Sequence, residues 1–273
     1  MIKVKDWVGR LGNNIIELIN ILHIAIYYNY RIDFPKKGFI TPYIDLEYIK
    51  KQFQNNILQG ILLTDPSNFY YRQKIKNITQ EVFNVNHVKV FDIIHKAFII
   101  REESVIDKND IVLHIRGGDV FNGNPHPGYA QPPLSYYINI LDNNNFNKII
   151  IVSEDTKNPV LNELLKKYPN IIYKKQTLEE DIKIIMGTSK IVNSFGSFIP
   201  YLLLFSNNIK HLYQTSYQLI NIDQRLDIPY EKYNISNFNI HVTDLTDYKL
   251  KITPWKNTQN QKDIMLTYIT EVG

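Results

Sequence analysis

The alternation that begins at Asp110 constrains this 273-residue chain more than any other feature. Ile111-Val-Leu-His-Ile115 is an apolar run followed at once by turn residues, and Lys148-Ile-Ile-Ile-Val-Ser153 repeats the pattern. Ile171–Tyr173, Lys190–Asn193 and His211–Tyr213 are shorter versions of it. Strands without polar alternation are covered on both faces, which is the condition of a parallel sheet. Helical periodicity fills the intervals: Pro133–Leu141, Asn158–Lys167, Leu178–Met186 and Ser197–Phe205. The spacing therefore predicts an α/β fold with a parallel, doubly covered sheet. Upstream, Ile2–Trp7 reads as a strand, and a Gly-Arg-Leu-Gly turn then opens a helix over 13–29. Residues 31–100 are mixed, with helices expected near 46–54 and 87–98. Charged residues crowd together from Arg101 to Asp110, and the boundary is placed there. Two α/β lobes with a cleft between them are expected: 1–105, then 106–215, with 216–273 packing back across both.

Composition removes several classes of function. Hydrophobic residues make up 44% and charged residues 21%, so the chain is neither disordered nor collagen-like. It has no Cys, which excludes a disulfide scaffold, a thiolate metal site and a Cys nucleophile. The 43 Ile and 30 Asn against 3 Ala are a skew of the kind an AT-rich genome imposes, and they carry no chemistry. A formal charge of +4, spread without a Lys/Arg block, argues against nucleic acid as a partner. It suits phosphorylated substrates or peripheral contact with an anionic membrane. Met1–Asp6 is too short and charged for a secretory signal. The apolar run Ile15–Tyr28 holds Glu17, Asn20 and His23 and falls short of the roughly 20 residues a bilayer span needs, so a buried helix is expected. A cytoplasmic location follows, and the sequons at Asn77 and Asn234 then carry little meaning.

Three segments hold candidate chemistry. His114-Ile-Arg-Gly-Gly-Asp-Val120 follows a strand at the carboxyl edge, where open α/β sheets bind ligands. Arg116 offers a planar fork for two phosphate oxygens, and the glycines permit close backbone approach. A turn whose surface Arg is paired to Asp119 explains the same residues equally well. In Gly187–Pro200, a strand ending near Asn193 leads into a helix that Ser197 can cap, with Pro200 in its first turn. Such a terminus suits phosphate, or is simply a capped helix. Gly9-Arg-Leu-Gly-Asn-Asn14 is a Gly-rich turn without the third glycine of the dinucleotide fingerprint. The chain has no Gly-Lys-Ser/Thr phosphate loop, His-Glu-x-x-His, Gly-x-Ser-x-Gly or Asp-x-Asp motif. A diphosphate site would then rely on cations and helix termini.

In this order, the segments resemble the fucosyltransferase superfamily of alpha-1,2-, alpha-1,6- and protein O-fucosyltransferases. Gly9–Asn14 is similar to its Gly-x-(Leu/Phe)-Gly-Asn-Gln turn, and His114–Asp119 to its His-x-Arg-Arg-x-Asp motif. Asp181–Met186 with Ser194–Phe198 is similar to the Asp-Leu-x-x-Met…Ser-x-Ser-Phe block. The resemblance spans most of residues 9–205. It implies a GT-B-like pair of Rossmann-type lobes and metal-independent, inverting transfer of a sugar, foremost L-fucose from GDP-fucose, to a glycan acceptor. The GDP-sugar is a substrate, and no cofactor or metal is expected. Arg116 would grip the β-phosphate. Arg10, Gly12, Asn13 and His114 would meet phosphate or sugar, and Asp181 the guanine or ribose. Ser194, Ser197 and Phe198 would close the pocket around the diphosphate. The second arginine of many relatives is Gly117 here. Asp119, Glu17 and Glu154, which ends a strand, are candidates for the general base, while a partner for a nearby Lys or Arg explains Glu17 as well and a brace for Arg116 explains Asp119 as well. The Phe121–Pro133 loop, with His126 and Tyr129, either covers the cleft and stacks on sugar or is only a long connection. Another nucleotide sugar, or a non-catalytic nucleotide- or glycan-binding module, are the alternatives. The acceptor, expected to be read by 31–100 and 215–273, and the oligomeric state stay undetermined.

Overall fold

The computed structural model of the chain describes residues 1–56, 62–63, 69–70, 72, 75, 78–217 and 238–270. Asn77, the sequon at 234–236 and parts of the two expected acceptor-reading segments lie outside the described residues. The chain forms two compact units. The first takes its described residues from Met1–Glu102 together with Pro200–Phe205, and the second from Glu103–Ile199 with residues 206–217 and 238–270.

In the first unit, β1 (Ile2–Lys3) lies between β2 (Ile32–Asp33) and β3 (Leu62–Leu63), all parallel. The expected strand over Ile2–Trp7 pairs for only two residues. Beyond it, carboxylates replace the neighbouring strand as acceptors: Asp6 Oδ1 takes the Trp7 N–H at 2.8 Å, and Glu17 takes that of Val8. Helix α1 (Leu11–Tyr27) begins and ends two residues before the expected 13–29, and it is buried on nearly every side from Asn14 to Ala25. Asp45 caps α2 (Leu46–Gln52) by accepting the Tyr48 N–H at 2.9 Å. Helix α3 (His87–Ala97) packs against α1, α2 and a 3-10 turn at Leu203–Phe205. Phe205 from that turn stacks on Phe98 at 4.2 Å between ring centroids.

The second unit is an α/β layer structure on a six-stranded, wholly parallel sheet. Its strands are β4 (Ile111–His114), β5 (Ile149–Val152), β6 (Ile171–Tyr173), β7 (Lys190–Val192), β8 (His211–Thr215) and β9 (Asn239–Thr243). They run in the order β6-β5-β4-β7-β8-β9. Counted from β4, that is 3-2-1-4-5-6, the doubly wound order compatible with a Rossmann-like fold. The crossovers are α4 (Leu134–Asp142), α5 (Pro159–Lys167) and α6 (Leu178–Gly187), while α7 (Phe198–Leu202), after β7, begins in this unit and has Pro200–Leu202 in the first. Each strand and helix expected from Ile111 onward is present with ends shifted by a residue or two, except at two places. The helix expected over 197–205 tightens into the 3-10 turn after Leu202. The strand at 211–215 is not the last, because β9 adds an exposed edge beside it. Two further helices follow, α8 (Thr246–Ile252) and α9 (Gln259–Thr267).

β4 is buried at every residue, and its Ile111 and Leu113 meet Tyr136 and Tyr137 of α4 and Val160, Leu161 and Leu164 of α5 in one core. Trp255, 1% exposed, closes that core from the C-terminal side. Among the described residues, no helix is long and apolar enough to cross a membrane.

Candidate functional site

In a doubly wound sheet the strand order reverses between its first and fourth strands, and ligands bind outside the carboxyl ends there. In this chain that crevice is flanked by the residues after β4 and after β7. After β4 comes Arg116, whose guanidinium is held by two side chains, Asp119 and Tyr129, and passes close to Gly196. Both Asp119 oxygens are 3.4 Å from Nη2, a long ion pair. The Tyr129 ring lies 4.3 Å from Cζ, in cation–π geometry. On the β7 side, a Cβ at Gly196 would stand 2.7 Å from Nη1, and Gly196 has φ +139, so only glycine fits without strain.

The turn that carries Arg116 is itself built into the sheet edge. Gly118 has φ +65, and a Cβ there would press into the Glu154 carboxylate at the end of β5. A Cβ at Gly117 would meet the Asp155 carboxylate. Asp155 is not free to yield: its Oδ1 accepts the Gly118 N–H at 3.2 Å and the Lys157 N–H at 3.1 Å. A side chain at position 117 would therefore have to displace Asp155 from both N–H groups. Asn158 completes the support, since its Nδ2 donates to the Arg116 carbonyl at 3.0 Å while its Oδ1 caps α5 at the Val160 N–H.

His114, Ser194 and Phe198, all expected at the site, come together beneath Arg116. Ser194 Oγ lies 2.9 Å from His114 Nδ1, and the Phe198 ring is 5.5 Å from the imidazole. Burial, followed by the charge of Arg116, pushes the His114 pKa down to about 3. The ring is therefore neutral and brings no positive charge to an anion. Beside it stands a residue the sequence reading passed over. Asn193 is 1% exposed, its N–H donates to the Tyr213 carbonyl at 2.8 Å, and its carbonyl accepts from Tyr136 Oη at 3.2 Å. The side-chain amide lies close enough to favour the charged imidazole, yet neither Oδ1 nor Nδ2 makes a hydrogen bond of good geometry. A buried amide left so is expensive unless a ligand or water answers it. An Asn at the carboxyl end of a buried strand was the available signal.

The remaining expected residues lie elsewhere. Asp181 is in the first turn of α6 and accepts from Gln176 Nε2 at 3.0 Å. Burial raises its pKa to about 6. Burial, and after it the charges of Asp155 and Asp181, raise the pKa of Tyr173 at the end of β6, so both carboxylates lie toward that end of the strand. Ser197 sits between Gly196 and the start of α7, partly exposed.

Arg10, Gly12, Asn13 and Glu17 belong to the first unit and surround the β1–α1 turn. Gly9, at φ +71, packs on the Asn13 amide, and the Arg10 carbonyl accepts the Asn14 N–H at 3.0 Å. The Arg10 side chain is exposed, while Gly12 is buried in the helix. Glu17 is fully buried, and its two oxygens lie 3.3 and 3.1 Å from the Val8 nitrogen. Burial raises its pKa to about 8, against the pull of that N–H and with a push from Asp6. The carboxyl is thus mostly protonated at neutral pH and anchors the turn through a backbone amide rather than through a Lys or Arg.

No set of three or more His, Cys, Asp or Glu side chains is placed to share a metal ion among the described residues. Comparison with models of protein families, with curated proteins and with solved structures found no match.

Proposed function

We propose that the chain is a glycosyltransferase whose second unit binds the diphosphate of a nucleotide sugar, foremost GDP-fucose, and passes the sugar to a glycan acceptor. The observation that supports this most is Arg116, held by Asp119 and Tyr129 at the switch point of a 3-2-1-4-5-6 sheet. A fixed guanidinium there is suited to charge that grows on a leaving diphosphate, and preorganised charge of this kind is commonly the largest catalytic contribution. The acceptor hydroxyl oxygen attacks the anomeric carbon from the side opposite the diphosphate. The carbon–oxygen bond to the β-phosphate breaks, GDP leaves with the electron pair, and a base takes the acceptor proton.

The buried amide of Asn193, next to His114, carries a donor and an acceptor without a hydrogen bond of good geometry, which suits a hydroxyl or phosphate of the same ligand. Asp181, at the neighbouring edge, is the acceptor for ribose or base. Glu17 serves as a base only in the alkaline range, since its proton is held up to about pH 8. Asp119 is already the partner of Arg116. The donor roles of Arg10, Gly12 and Asn13 rest on the resemblance to fucosyltransferases.

Slow donor hydrolysis, measured over a panel of nucleotide sugars, tests the reading. GDP-fucose is expected to be split, and Arg116→Ala to slow the reaction ~100-fold or more. Cleavage of UDP- or dTDP-sugars alone would refute the donor. Tight GDP binding without turnover against any acceptor would refute transfer and leave a nucleotide-binding module.

A further inference from the structure

We infer that Tyr129 is the positioning residue of the anion site: its ring fixes the plane of the Arg116 guanidinium while leaving the charge and outer N–H groups available to a ligand. The inference rests on Arg116 being the anion-binding group proposed above. Two neighbours hold this guanidinium, and they act differently. Asp119 sits at 3.4 Å from Nη2, partly exposed, and a carboxylate that holds an arginine also neutralises it. The Tyr129 ring is centred 4.3 Å from Cζ, so the guanidinium stands over its π face, and a ring does not neutralise the charge as a carboxylate does. An arginine stacked on an aromatic keeps its donor fork in the edge plane, where an oxyanion binds.

Tyr129 can impose an orientation because its own loop is pinned. The Trp255 indole N–H donates to the Val120 carbonyl at 2.7 Å, and its backbone N–H donates to the Pro127 carbonyl at 2.8 Å. The same ring packs edge-on against Phe121 at 5.6 Å. Asn257 Nδ2 donates to the Asn122 carbonyl at 3.2 Å. Past the tip, Tyr248 Oη donates to the Gln131 carbonyl at 2.7 Å, and Gln131 Nε2 donates to the Tyr129 carbonyl at 3.0 Å. His126 lies against the Tyr129 ring at 4.8 Å, and its Nδ1 accepts the Gly128 N–H at 3.1 Å. A long loop is thereby tied from the α8–α9 region, and its aromatic is set on Arg116 rather than left open to a sugar.

Calorimetric binding of inorganic pyrophosphate and of GDP to the full chain tests the inference. Tyr129→Leu keeps bulk without a π face and is expected to weaken both ligands about five- to tenfold. Tyr129→Phe keeps the face and is expected to bind within about twofold of the native protein. That rescue separates orientation of the guanidinium from general support of the loop. Two results would overturn it. Tyr129→Leu binding as tightly as native, or more tightly, would show that the ring only occupies the guanidinium until a ligand arrives. Tyr129→Phe binding as poorly as Leu would place the effect in the hydroxyl. Failure of the underlying reading looks different, since Arg116→Ala would then leave pyrophosphate affinity unchanged.

Discussion

Replacing Glu17 by Gln should change how stability depends on pH, and the sign follows from the structure. The carboxyl is fully buried and its pKa is raised from an ordinary 4.5 to about 8. Its folded-state pKa lies above its unfolded value, so the folded chain keeps a proton that the unfolded chain releases. Stability from this group is complete below about pH 4.5 and is lost as pH rises toward about 8. Each unit inside that window costs about 1.4 kcal/mol, so the native chain loses roughly 2–3 kcal/mol between pH 5 and pH 7 from Glu17 alone. Glutamine is neutral throughout and keeps an oxygen for the Val8 N–H. Urea unfolding of both proteins at pH 5, 6, 7 and 8 gives the difference directly, and other titrating groups cancel in it. The variant should gain on the native chain as pH rises. A difference that stays flat within about 0.5 kcal/mol from pH 5 to pH 8 would refute the buried, proton-holding role.

Asn158→Ala removes both the α5 cap and the bond to the Arg116 carbonyl and should cost about 2–3 kcal/mol in chemical denaturation. Its effect on pyrophosphate binding should follow, because the turn beneath Arg116 loses an anchor. Gly118→Ala should cost about 1–2 kcal/mol for the left-handed backbone alone, with more from displacement of Glu154. A Gly118→Ala/Glu154→Ala double variant, compared by thermal melting, should recover only the second part.

How much of this the sequence revealed depended on whether a feature was local. β4 and β5 were legible because runs such as Ile149–Val152 are apolar at every position, and that pattern has few outcomes. α5 and α6 were legible through helical periodicity, and the structure adds their caps, Asn158 and Thr177. β9 alternates, Asn-Ile-His-Val-Thr, but as an exposed edge it lacks the continuous apolar run that marked the others. The early end of β1 was not legible, since it depends on Glu17 reaching back to Val8. At the candidate site, Arg116 and Asp119 stood out in the turn after a strand, while His114 and Ser194 were named only through the resemblance to the fucosyltransferases. Asp155 and Asn158 did not, because their roles exist only once β5 lies beside β4. Asn193 was hidden for another reason: what marks it is burial beside His114 without a hydrogen bond of good geometry, which exists only in three dimensions.

The first compact unit is not a continuous stretch of chain, and this governs the order in which it can form during synthesis. Its core includes Phe205 stacked on Phe98, and α3 rests on the turn Leu203–Phe205. A nascent chain that has emerged as far as Glu102 still lacks that turn, and receives it only after the stretch carrying β4 to β7 has followed. The amino-terminal unit, although made first, is therefore completed late. Domains commonly fold in order from the amino terminus as they emerge, at about 5–20 residues per second. Here roughly a hundred further residues separate Glu102 from Phe205, a delay of about 5–20 seconds at those rates. During that interval the α3 face awaiting Phe205 is uncovered, which makes it the surface a holding chaperone would meet. A fragment ending at residue 102 should keep that face exposed and be the less soluble for it.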